Sequence, residues 1–140
     1  MTGLTAALLV SGTASAQPAV SAPVAAKPTS IRVVGHAGGG MYDVVLRYHK
    51  SGSARVVEWV FAGKNTRSKA AVSARWVYTA PGAPMRVGAG WRKATATNSG
   101  DTWRGVSWGD VGYNGLKIPK NSRLCTQFKG SSTLACVKVK

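Results

Sequence analysis

The side chains able to do chemistry are few. The carboxylates are Asp43, Glu58, Asp101 and Asp110; beside them stand His36, His49, Cys125 and Cys136. A glycosidase sets two carboxylates across a cleft, and no spacing among these four singles out such a pair. Glu58 with His49 or His36, and Arg47 or Arg55, has the residue types of a secreted nuclease: a general base, a general acid and a cation for the phosphate. Glu58 and His49 fall on adjacent predicted strands, so they can meet. No ribonuclease motif surrounds them, and each also reads as a side chain on a wet strand face. The sequence has no G-x-S-x-G, no H-E-x-x-H, and no Cys–His arrangement that survives disulfide formation. Gly35–Gly40, GHAGGG, shares only its glycines with a phosphate-cradling loop; without a following Lys-Ser/Thr it reads as a turn. Zinc needs about four ligands, and only two histidines supplement the two cysteines. We expect no metal and no cofactor; the residues leave enzyme activity open and favour a non-enzymatic protein.

Charge is the stronger signal. The 140 residues carry 19 Lys and Arg against 4 Asp and Glu, a formal net charge of +15. Such a surplus attracts polyanions and discourages self-association. The basic residues run from Lys27 to Lys140 rather than gathering in a tail, so folded strands must present them. Two clusters are predicted. One is Arg123, Lys129, Lys138 and Lys140 on the outer face of a C-terminal hairpin. The other is Arg92, Lys93 and Arg104, with Arg86, beside Trp91, Trp103 and Trp108. Cations interleaved with aromatic rings suit backbone neutralisation together with stacking on bases or sugar rings. Trp59, Trp76 and Trp91 are expected in the core. Trp103 and Trp108 have opposite parity, so one of them points outward unless a bulge intervenes.

The elements that must position these residues begin after an irregular N-terminus. Residues 1–16 combine an apolar stretch, Leu4–Val10, with Ala14-Ser15-Ala16, the form of a signal-peptidase site, although Lys and Arg are missing there. Residues 17–30 are rich in Pro, Ala and Ser, and read as a linker or pro-segment. The single domain is residues 31–140. No apolar run approaches the roughly 20 residues of a membrane-spanning helix.

Within 31–140 the apolar period is 2, which predicts half-buried antiparallel strands. Tyr42, Val44, Leu46 and Tyr48 share one face. Val57, Trp59 and Phe61 share another, opposite Glu58. Ala70, Val72, Ala74, Trp76 and Tyr78 form a third, and Met85, Val87, Ala89 and Trp91 a fourth. Strands are expected at 31–35, 42–50, 54–62, 71–79, 84–92, 102–109, 122–129 and 133–139, with a bent one in the Gly-studded TWRGVSWGDVGY. The segment 65–71 is the one place where a short helical turn would fit. Turns are expected at 50–53, at Pro81-Gly82 and at Asn98–Asp101. The fold class is all-β: an antiparallel sandwich or barrel of about eight strands.

The last hairpin is the most determined. A two-residue type II′ turn at Gly130-Ser131 pairs Gln127 with Leu134 and Cys125 with Cys136. Leu124, Thr126, Phe128, Thr133, Ala135, Val137 and Val139 then share the inner face. The disulfide and the basic residues take the outer one.

The Ala-rich start, the Trp- and Gly-rich body and the ending KIPKNSRLCTQFKGSSTLACVKVK resemble small secreted proteins of actinobacteria, specifically over residues 116–140. The resemblance implies export, a β-rich fold and one disulfide, and brings no activity or catalytic residue. Together these readings describe a secreted, extracellular, cationic monomer. It is expected to bind anionic cell-wall polymers or acidic glycans, with nucleic acid among the polyanions considered, and not to insert stably into membranes. The other function class is a secreted antimicrobial toxin, membrane-active or nuclease-like.

Overall fold

A computed structural model describes residues 11–18, 21, 26–67, 70–98 and 100–140. The strands are β1 Ile31–Ala37, β2 Tyr42–Ser51, β3 Ala54–Asn65, β4 Val72–Thr79, β5 Met85–Thr97, β6 Gly100–Gly109, β7 Lys117–Pro119, β8 Arg123–Phe128 and β9 Leu134–Lys138. No helix occurs among the described residues. Most of the predicted signal segment, residues 1–10, lies outside the described residues, as do Ser68 and Lys69 of the 65–71 segment and Ser99 of the 98–101 turn.

All pairings are antiparallel, in the order β1-β2-β3-β6-β5-β4-β8-β9, with β7 on the edge of β3 beyond β6. The two ends of this order come together. A Cβ on Gly35 of β1 would lie 2.3 Å from the Cys136 carbonyl oxygen of β9 and 2.9 Å from Val137 Cγ1. The sheet therefore curls into a nearly closed barrel, which decides between the two all-β architectures. Its interior is filled from both halves: Val44, Leu46, Tyr48, Val57, Val60 and Ala62 meet Ala74, Trp76, Leu124, Phe128, Ala135 and Val137. At about 25 cal/mol per Å² of apolar surface buried, this shared interior is the main stabilising contribution.

Two irregularities revise the expected faces. Arg47 pairs with Trp59, but the next residue, Tyr48, pairs with Val57, so Glu58 is an extra residue bulged out of β3. Val57 faces the interior before the bulge; Val60 and Ala62 do so after it. Trp59 and Phe61 are thereby turned to the outer face, half-buried rather than in the core. In β5, register shifts beside Gly88 and Gly90 carry Ala74↔Arg92 into Trp76↔Ala89 and then Val77↔Val87. Met85, Val87 and Trp91 end up exposed, Trp91 at 43%. The cause is Trp76: its ring occupies the space that a Cβ on Gly88 would need, at 1.9 Å.

The C-terminal hairpin has the expected register, with Cys125 opposite Cys136, Gln127 opposite Leu134, and a Cys125–Cys136 disulfide. Leu124, Thr126, Phe128, Ala135, Val137 and Val139 are buried as parity requires. The turn differs. Ser131 N donates to Phe128 O, which places Gly130 third in the turn, with φ +82°, where a type II turn needs a positive φ. The loop is longer than a two-residue hairpin because Lys129 N still donates to Ser73 O of β4 at 2.8 Å after β9 has parted from β8.

Candidate functional site

The outer surface of β5-β4-β8-β9 is built from cations. Arg75, Lys93, Arg123 and Lys138 stand at its outward positions, whereas Arg86 opposes Tyr78 and Arg92 opposes Ala74 on the inward side; no Asp or Glu lies on these strands. Arg123 and Lys138 are directly opposed across β8 and β9, an arrangement that is destabilising unless an anion lies between or above. Two register steps away, on the same face, is the disulfide, with Cys125 buried. Farther along, Arg75 donates through Nε to Gln127 Oε1 at 2.9 Å, and its guanidinium stands 4.7 Å above the Trp91 ring. At the far end Lys93 and Lys129 border a groove of about 300 Å³ with Ala71, Val72 and Ser73.

The predicted binding residues separate into three groups. Arg123, Lys129, Lys138, Lys140 and Lys93 are exposed; Lys129 leaves the predicted hairpin cluster to join Lys93. Arg92 is exposed but engaged, donating to Ser107 O at 2.7 Å with its guanidinium 5.9 Å above the Trp108 ring, so it bridges β5 to β6. Arg104 and Trp108 are buried. Arg104 donates to the carbonyls of Asp101 and Trp103, and Trp108 belongs to the interior, where neither offers surface to a polymer. Trp103 has the opposite parity and is half-buried on the outer face of β6. The pairing of Arg75 with Trp91 escaped sequence reasoning because strict alternation puts Trp91 inside. The signal was Gly88 and Gly90, two glycines in one strand.

A second constellation lies on the β1-β2-β3-β6 half. The bulge lets Glu58, 2% exposed, meet buried His49: Oε1 lies 2.8 Å from His49 Nδ1. Oε2 accepts from Ser30 Oγ at 3.0 Å and from Gly112 N at 2.9 Å. The loop after β6 seals the bulge, since Asp110 N donates to Glu58 O and Val57 N to Leu116 O. Burial would raise the Glu58 pKa, but the Gly112 N–H, the His49 ring and the Ser30 hydroxyl outweigh it and hold the carboxyl below its ordinary value. Glu58 is therefore ionised, Nδ1 carries the hydrogen, and Nε2 is left without a partner among the described residues. His49 lines a cavity of about 350 Å³ with Lys27, Ser30, Val111, Gly112 and Asn114.

Both carboxylate oxygens are occupied, so Glu58 orients His49 rather than accepting a substrate proton. Ser30 bonds the carboxylate and not the imidazole, which is not the arrangement of a serine nucleophile. His36 pairs with Asp43 instead, at 2.6 Å. Arg55 is committed to the carbonyl oxygens of Lys140, Gly52 and Ala54. Among the described residues no three His, Cys, Asp or Glu side chains are grouped to hold a metal, and no helix is long and apolar enough to cross a membrane. No protein-family model, curated protein or solved structure matches the chain.

Proposed function

We propose that this is an exported, monomeric, non-enzymatic protein that docks on anionic cell-envelope polymers or acidic glycans through the outer face of β5-β4-β8-β9. The observation that carries the reading is the carboxylate-free face with Arg123 directly opposed to Lys138. Nothing on those strands neutralises the pair, so an external polyanion relieves a repulsion as well as forming new contacts. The disulfide is consistent with an extracellular, oxidising location.

The test is retention on immobilised wall teichoic acid or heparin across a salt gradient. Arg123→Glu, Lys138→Glu, Lys93→Glu and Lys129→Glu together should elute at much lower salt than Lys50→Glu, Arg67→Glu, Lys117→Glu and Lys120→Glu together. Equal losses from the two sets would mean that net charge, not a face, binds the polymer.

A second reading, a nuclease-like toxin, is favoured by one observation: a buried carboxylate orients His49, which lines a cavity. It requires that purified protein degrade RNA and that His49→Ala abolish the degradation while the protein stays folded. Undiminished cleavage by His49→Ala would remove it.

A further inference from the structure

The outer face of β1-β2-β3-β6 carries a flat aromatic surface that the polymer-binding reading does not use. Gly63 and Gly105 oppose each other on β3 and β6, and the Phe61 ring lies over both. A Cβ on Gly63 would stand 2.9 Å, and one on Gly105 2.6 Å, from ring carbons of Phe61. Two side-chain-free positions thus make a bed on which the ring lies flat. Trp59 continues the surface, its ring centroid 6.0 Å from that of Phe61 and the two planes within 16°. Both residues are half-buried, so part of each remains accessible.

Beside the rings are two cations with no carboxylate to answer them. Arg32 of β1 is directly opposed to Arg47 of β2, and Arg47 is directly opposed to Trp59 of β3. Glu58 is filled by His49, Ser30 and Gly112, and Asp43 by His36. Asp110 accepts from Val111 N, and Asp101 lies at the start of β6, away from this row. Two like charges facing each other across a strand pair are again costly alone.

We propose that this face is a binding site for single-stranded nucleic acid, with a phosphate held between Arg32 and Arg47 and a base stacked on Trp59 and Phe61. The spacing favours nucleotides over acidic sugars. Neighbouring strands are about 4.8 Å apart, so the two arginines are rooted one and two strands to the side of the rings. A nucleotide separates its anion from its planar ring by a sugar, whereas an acidic sugar carries its charge on the ring that would stack. Guanidinium groups match phosphate geometry, and every base has a π-face, so stacking tolerates any sequence. In a duplex the bases are hidden from such a surface. The site is on the half opposite the proposed polymer-docking face and stands independently of it.

The test is anisotropy titration of the whole protein with a labelled oligothymidylate of about 12 nucleotides, against an abasic deoxyribose-phosphate strand of equal length. The wild-type protein should bind the oligothymidylate at least about tenfold more tightly than the abasic strand, the size expected for base stacking. That preference should collapse in Trp59→Leu and persist in Arg123→Glu with Lys138→Glu. Arg32→Ala with Arg47→Ala should weaken both strands alike and leave the preference intact. The wild-type ratio needs no variant, so it stands as a test even if Trp59→Leu fails to fold. Equal binding of the two strands overturns the proposal. So does a preference that survives in folded Trp59→Leu but is lost in Trp91→Leu, and so does displacement of the oligothymidylate by hyaluronan at matched charge concentration.

Discussion

The two halves of the barrel handle charge and fastening in opposite ways. The β1-β2-β3-β6 half, with the turn that follows β6, holds all four carboxylates, and it buries one of them, Glu58, in a polar network of His49, Ser30 and Gly112. The β5-β4-β8-β9 half has no carboxylate and is fastened by a covalent bond, Cys125–Cys136. A half with internal acids can spend them on its own structure. A half with none leaves its cations to be answered from outside, by solvent ions or by a polyanion. What differs is the acids, not the free cations: Arg32 and Arg47 oppose each other on the first half as Arg123 and Lys138 do on the second.

The sharpest way to break the comparison is Glu58→Ala. It removes the centre of the polar network and strands the His49 ring and the Gly112 N–H, and each buried donor left without an acceptor should cost about 1–3 kcal/mol. The check is the urea midpoint. A loss below that expected for the disulfide would show that the network is not what holds the first half.

Cys125→Ala with Cys136→Ala probes the other half. The bridge spans a sequence separation of 11, and closing so short a loop stabilises by about 2–3 kcal/mol. Hydrogen exchange should show the lost protection concentrated in β8 and β9. Uniform loss over the whole sheet would mean that the two halves do not differ in how they are fastened.

The smallest effect is in acid. The folded pKa of Glu58 lies below its unfolded value, so its stabilisation is complete above about pH 4.3 and is lost as pH falls through the folded pKa. Exchange protection should fall in β2 and β3 before it falls in β8 and β9, and Glu58→Gln should flatten the acid limb of stability against pH. An acid limb unchanged in Glu58→Gln would assign the dependence to other carboxylates.

What the sequence alone determined is local. Period-2 alternation, the turn glycines and the spacing of Cys125 and Cys136 specify most strands and the final hairpin register. Each depends only on residues a few positions apart, and a slip of one residue would bury lysines. The cationic character of Arg123 and Lys138 was legible for the same reason. Short β7 was missed, since three residues between turns carry no period. Tertiary structure decided the rest. The bulge at Glu58 exists because the 110–116 loop and His49 receive it, and the shifts in β5 exist because the Trp76 ring takes the space above Gly88. Each inserts one residue and so inverts every face beyond it. That inversion brings Trp59, Phe61 and Trp91 to the surface. The meeting of β1 with β9, which makes a barrel rather than a sandwich, depends on accumulated twist across eight strands, a quantity that no short stretch of residues encodes.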